Sequence, residues 1–196
     1  MIYDICKINE EKDTKMGNIN VFSGPMKCGK SQRLIVEANR QTVAGKKVKV
    51  FKPLMDNRFS DTDVMDRDGN KFPAINIEKI EEIEKYDADV YMIDEFQFLD
   101  GNIESIQNLA NKGKKFFVAG LNLTAEKKPF GKMGELFCYS DNVQMMTAIC
   151  ECCGSENAIY SFCKAEKTGD ILIGDSQYIP VCANCYAKLI QTKKGM

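Results

Sequence analysis

The chain of 196 residues contains no histidine and only four arginines, Arg33, Arg40, Arg58 and Arg67. Without imidazole, a general base has to be a carboxylate and a zinc site has to be built from thiolates. Basic residues form nothing longer than short lysine pairs, and the formal net charge is −1. No electrostatic footprint for nucleic acid is present, so a polymer-binding protein is not expected. No apolar run approaches the ~20 residues a bilayer span requires. Met1-Ile2-Tyr3-Asp4-Ile5-Cys6-Lys7 lacks the charged-then-apolar layout of a secretion signal. The expected setting is the cytoplasm, with neither membrane nor nucleic acid as partner. Nine cysteines in such a reducing setting point to metal rather than disulfides. With 44% hydrophobic and 28% charged residues, the composition is that of a globular protein. The length suits one α/β domain and a small appendage.

The densest information lies at Gly24-Pro25-Met26-Lys27-Cys28-Gly29-Lys30-Ser31, which spells G-x-x-x-x-G-K-S directly after the apolar run Ile19-Asn20-Val21-Phe22. Glycines let backbone N–H groups turn inward around phosphates, Lys30 can reach the β- and γ-oxygens, and the Ser31 hydroxyl can ligate magnesium at the start of the following helix. A nucleoside triphosphate is the implied ligand.

Around this loop the sequence reads as alternating strands and helices. Strands are expected over 19–23, 48–53, 89–93, 115–120 and 143–149, and helices over 30–44, 77–86 and 102–111. Residues 54–74, rich in Asp and carrying the turn signal Asp68-Gly69, read as a long loop or exposed hairpin near the phosphates. The alternation predicts an α/β fold of the P-loop NTPase type, a mainly parallel sheet flanked by helices. A composition shift at Cys150 marks a second, zinc-ribbon-like domain. The expected division is a polar tail over 1–17, an α/β domain over 18–149, a cysteine-bearing domain over 150–190 and a short tail over 191–196.

Ile93-Asp94-Glu95 ends an apolar strand with two carboxylates. Asp94 can hold the magnesium hydration shell, and Glu95 can remove a proton from an acceptor, either water or a hydroxyl. Phosphoryl transfer also calls for a cation that follows charge onto the transferring group. Arg58, just past the second strand, is the candidate, with a loop salt bridge to Asp56 as the alternative. Arg33 and Arg40, seven apart on one helix, are expected to be solvated. Cys150-Glu151-Cys152-Cys153 and Cys182-Ala183-Asn184-Cys185 each hold a C-x-x-C, the spacing of a tetrahedral zinc knuckle. Cys150, Cys153, Cys182 and Cys185 are the expected ligands of a structural zinc. Cys152 can compete, although a C-x-C or C-C pair fits a knuckle less well. Cys6, Cys28, Cys138 and Cys163 read as buried or incidental thiols.

Taken in order, these motifs make the chain resemble the type II thymidine kinases, P-loop deoxynucleoside kinases with a zinc-bearing lasso. The resemblance covers about residues 18–190. It rests on Ser23-Gly24-Pro25-Met26 before Gly29-Lys30-Ser31, on Asp56-Asn57-Arg58-Phe59-Ser60 and on Ile93-Asp94-Glu95-Phe96-Gln97-Phe98. Lys128-Pro129-Phe130-Gly131, Thr147-Ala148-Ile149-Cys150 and Tyr178, four residues before Cys182, complete it. The resemblance implies magnesium-dependent transfer of the γ-phosphoryl of ATP to the 5′-hydroxyl of thymidine, giving the monophosphate used in DNA precursor synthesis. It makes Glu95 the general base and Arg58 the residue that assists transfer. Nucleotide contacts would come from Ser23, Gly24, Pro25, Met26, Lys27, Cys28, Gly29, Lys30 and Ser31 with Asp94, Glu95, Phe96 and Gln97, and magnesium would sit at Ser31 and Asp94. Met26, Phe98, Leu121, Phe130 and Tyr178 would line the base pocket, and the assembly would be a homotetramer. Two departures bear on the pocket. Ala125 stands where the family carries a phenylalanine, and Ser161-Phe162-Cys163 where it tends to place a threonine before basic residues.

Overall fold

The computed structural model describes residues 16–55, 62–165 and 176–194. Ten strands and four α-helices appear among them. In chain order they are β1 (Ile19–Ser23), α1 (Lys30–Val43), β2 (Val48–Pro53), β3 (Asp63–Met65), β4 (Lys71–Pro73), β5 (Ile75–Ile77), β6 (Val90–Ile93), α2 (Glu104–Asn111), β7 (Lys115–Gly120), α3 (Met133–Tyr139), β8 (Asn142–Met145), β9 (Tyr160–Cys163), β10 (Tyr178–Val181) and α4 (Ala183–Lys194). Two 3-10 helices, Ile80–Lys85 and Phe96–Phe98, follow β5 and β6.

Six strands form one sheet in the order β5-β2-β6-β7-β1-β8, with every neighbouring pair parallel. Parallel pairing forces crossovers over the faces, and the period-two alternation of the strands divides the apolar residues between two cores. On one face Phe22, Val50, Met92, Phe117 and Ala119 pack against Leu34, Ile35 and Ala38 of α1. On the other, Val21, Phe51, Tyr91, Ile93, Phe116 and Val118 pack against Ile103, Ile106 and Ala110 around α2 and against Met133 and Leu136 of α3. Three rings from adjacent strands stack across this second face, Phe51 on Tyr91 at 6.1 Å and Tyr91 on Phe116 at 5.1 Å between centroids. Such burial is the main source of stability for a sheet covered on both sides.

The α/β fold expected from the sequence is the one observed, and several elements differ in detail. The segment 77–86 is a 3-10 helix starting at Ile80, because Ile75–Ile77 is taken into the sheet as β5 beside Phe51–Pro53. The last strand of the sheet stops at Met145 rather than residue 149. Ala148 instead bridges Ala158 and joins the core of the cysteine-bearing lobe. Helix α3 has no counterpart in the sequence reading. Its Met133-Gly134-Glu135-Leu136 start is too short for a period to show, and tertiary burial of Met133 and Leu136 holds it. The acidic stretch does contain a hairpin, β3 against β4, turned at Gly69 with φ +84°. Its turn is fixed by the buried Asp66 carboxylate, which accepts from the N–H groups of Asp68 and Asn70 and from the Asn70 side chain. Arg33 and Arg40 are exposed, as expected, and each also pairs with the buried Glu37, at 3.2 and 2.8 Å.

Candidate functional site

Connections run from β1 toward β2 on one side and from β7 to β8 on the other, so the strand order switches direction at β1. Ligands of open α/β sheets bind at such a point, beyond the carboxyl ends of the strands. Ser23 ends β1 in register with Gly120 of β7 and Met145 of β8, while Ile93 of β6 is in register with Val118. The loop Gly24 to Gly29, the Asp94-Glu95 pair and Leu121 therefore emerge along one edge.

The phosphate loop is held from beneath. Ser23 Oγ donates to the Gly120 carbonyl at 3.0 Å, and Met146 N–H donates to the Ser23 carbonyl at 2.6 Å. At Gly24 a Cβ would lie 2.3 Å from the Met146 carbonyl oxygen, so only glycine fits. Lys27 and Gly29 take left-handed backbone, φ +64° and +86°, which turns the loop into α1. Lys30 is buried, and its Nζ donates to the carbonyls of Gly24 at 3.1 Å and Pro25 at 2.7 Å. Helix α1 begins without a side-chain cap and without an acidic residue in its first turn, where Ser31 lies. Its N-terminal N–H groups and dipole are thus left to favour an anion.

Asp94 is buried just past β6, its N–H bonded to the Phe51 carbonyl at 2.9 Å. Glu95 follows in left-handed backbone, φ +49°. Gln97 holds this carboxylate in place: its Nε2 donates to Glu95, and its Oε1 accepts the Leu121 N–H at 2.8 Å. One buried amide therefore couples the ends of β6 and β7. Two glycines make room for it. A Cβ at Gly120 would lie 2.9 Å from Gln97 Oε1, and one at Gly131 would lie 2.2 Å from the Gln97 carbonyl oxygen. Phe98, which follows the Asp94-Glu95 pair, and the buried Phe130 meet edge to face at 5.3 Å, and Leu121 directly after β7 is half-buried. The Phe96 side chain belongs to the main core, which leaves only its backbone at the rim. Tyr178 opens β10 opposite Cys163. Arg58 lies outside the described residues.

Cys150, Cys153, Cys182 and Cys185 come together, their sulfurs all within 4.8 Å of one another. Cys153 Sγ and Cys182 Sγ are 3.8 Å apart, about the edge of a tetrahedron with ~2.3 Å metal–sulfur bonds. Burial pushes the Cys150 thiol up, but the N–H groups of Cys182, Cys152 and Cys153 outweigh it and bring it down to about 6. Cys185 moves the other way, pushed up by its hydrogen bonds with Cys153 and Cys182. Four sulfurs crowded in this way compete for protons, and a thiophilic cation relieves the conflict. Cys152 is exposed and outside the set.

The cysteine-bearing lobe also touches the phosphate loop, which no local pattern foretold. Met26 N–H donates to Ser161 Oγ at 2.9 Å, Lys27 pairs with Glu151 at 2.6 Å, and Cys28 packs on the lobe's apolar cluster. Ser161 is an unremarkable strand serine in the sequence, and only folding brings it beneath Met26.

The fold and rim define a P-loop nucleotide-binding enzyme with a four-cysteine lobe against its phosphate loop. The family model described as thymidine kinase matches residues 17–186. A thymidine kinase of Porphyromonas gingivalis is 34% identical over 192 residues, covering 96% of this chain and 93% of that protein. One of Bacteroides fragilis is 35% identical over 185 residues, covering 92% of each. The chain belongs to the thymidine kinase family.

Proposed function

We propose that this enzyme transfers the γ-phosphoryl group of ATP to the 5′-hydroxyl of thymidine. The observation that carries the reading is the convergence on one sheet edge of the phosphate loop, the Asp94-Glu95 pair and the Phe98–Phe130 ring pair. Phosphoryl transfer needs positioning and charge stabilisation more than covalent chemistry, and an edge of this kind supplies both.

In this reading the loop from Ser23 to Ser31 wraps the triphosphate, and Lys30 exchanges its contacts with the Gly24 and Pro25 carbonyls for phosphate oxygens. Ser31 and Asp94 hold magnesium, which when bound with ATP neutralises charge on the β- and γ-oxygens. Glu95, oriented by Gln97, accepts the proton of the 5′-hydroxyl as the oxygen attacks. Arg58 assists transfer. Met26, Phe98, Leu121 and Phe130 wall the base, and Tyr178 closes over it. An apolar pocket of this type orients the nucleoside and keeps out the water that would otherwise hydrolyse ATP. Cys150, Cys153, Cys182 and Cys185 hold a structural zinc, with no ligand position left for substrate.

Ala125 in place of a phenylalanine widens one side of the pocket in this reading, so the range of accepted nucleosides exceeds thymidine alone. The enzyme works in the cytoplasm as a homotetramer. Among the described residues no helix is long and apolar enough to cross a membrane. Incubation of the purified protein with labelled ATP and a panel of nucleosides tests the function. Thymidine should be phosphorylated, and ATP hydrolysis without any nucleoside product would refute the reading.

A further inference from the structure

The loop between β7 and α3 is fastened at its tip to the cysteine-bearing lobe, and a cation makes one of the attachments. Lys127 Nζ lies 4.4 Å from the ring centroid of Tyr160 and 4.3 Å from that of Tyr186. The two rings stand 5.2 Å apart, tilted by 53°. Tyr160 opens β9, and Tyr186 sits in α4 directly after Cys185. The Tyr186 hydroxyl also donates to the Ala125 carbonyl at 2.7 Å, a second attachment two residues from the first.

Lys127 holds φ +63°, a left-handed conformation that side chains with a Cβ seldom adopt. Such a conformation persists where its surroundings over-determine it. The loop is stiff between tip and base. Lys127 N–H donates to the Thr124 carbonyl at 3.0 Å, and Thr124 N–H to the Lys128 carbonyl at 2.9 Å. Lower down, Leu123 bridges Pro129, and Phe130 N–H reaches the Asn122 carbonyl at 3.1 Å. The base of this small hairpin carries Leu121 and Phe130. A shift of the tip is therefore passed to both residues.

We propose that Lys127 is a positioning residue for nucleoside binding: its ammonium, seated over the adjacent rings of Tyr160 and Tyr186, fixes the loop against the cysteine-bearing lobe and so places Leu121 and Phe130 against the nucleoside. The proposal rests on the thymidine kinase reading above. It concerns the acceptor rather than ATP, because the phosphate loop has its own separate ties to the lobe through Ser161 and Glu151. A cation is needed for its attraction to two ring faces, and arginine can replace lysine in that role.

The test compares kinetics of the parent enzyme, Lys127→Met and Lys127→Arg, with metal content measured in each. Lys127→Met should raise KM for thymidine about 3- to 10-fold, as expected for a lost cation–π contact. KM for ATP should stay within about twofold and metal content unchanged, and Lys127→Arg should return KM for thymidine to near the parent value. A merely structural lysine would raise both KM values together or neither, and either result overturns the proposal, as does failure of arginine to restore. Tyr160→Leu removes one ring and leaves Lys127 in place, which keeps the idea testable if Lys127→Met fails to fold. It should shift KM for thymidine in the same direction, and a shift in KM for ATP alone, or none, would count against the clamp. A parent enzyme that phosphorylates no nucleoside overturns the kinase reading and this proposal with it. A parent that turns over thymidine beside an unaltered Lys127→Met overturns the proposal alone.

Discussion

The main-chain N–H of Met26 donates a 2.9 Å hydrogen bond to the hydroxyl of Ser161, across 135 residues of chain. Both residues are buried, so this donor has no water to turn to. The bond makes the shape of the phosphate loop depend on the cysteine-bearing lobe. Met26 lies in the phosphate loop, and in the proposed reading it also walls the base.

Ser161→Ala should lower stability by about 1–3 kcal/mol, the cost of leaving a buried donor without an acceptor. Ser161→Thr keeps the hydroxyl and should cost less. Urea unfolding of the three proteins measures the difference, and an alanine variant as stable as the parent would contradict the role given to the bond.

Replacement of Glu95 by Gln should lower turnover by about 10²- to 10⁴-fold, the usual contribution of a general base. Nucleotide binding should survive, since the phosphate loop is untouched. Turnover assays beside titration with a fluorescent ATP analogue separate the two effects. Near-normal turnover would remove Glu95 from its role.

Gly131→Ala tests the packing around Gln97. The added Cβ would lie 2.2 Å from the Gln97 carbonyl, at a backbone φ of +52°. Gln97 orients Glu95, so the variant should lose about 1–3 kcal/mol of stability together with activity. Thermal unfolding and turnover measured on one preparation check this. Unchanged values for both would show that the loop relaxes freely.

Metal analysis of fresh reduced protein should find one equivalent of zinc per chain. Cys152→Ser should retain it, and Cys185→Ser should lose it. Acid should release the metal, with the sign set by the thiols. The folded protein holds Cys150 down at about 6 against an ordinary value of 9.0. Its ionised form is therefore favoured by folding, a contribution complete above the ordinary value and lost as pH falls through about 6. Protonation of the sulfurs competes with the cation over the same range. Release followed with a chromogenic chelator should rise as pH drops below about 6, and release that rises toward alkaline pH would exclude thiolate ligation.

Sequence alone determined the features that are local in the chain. The phosphate loop after β1, the carboxylates after β6 and the two C-x-x-C knuckles each depend on spacing within a few residues, and the four thiolates were identifiable because no histidine could compete. The alternation of strand and helix was legible for the same reason, since a buried parallel strand is an uninterrupted apolar run. Tertiary structure decided what depends on partners far away. The three-residue β5 exists because Phe51–Pro53 offers it an edge, and α3 because Met133 and Leu136 find a core. Ser161 beneath Met26 and Lys127 over two tyrosines carry no sequence signal, because a hydroxyl or an ammonium acquires its meaning only from the group that folding sets against it.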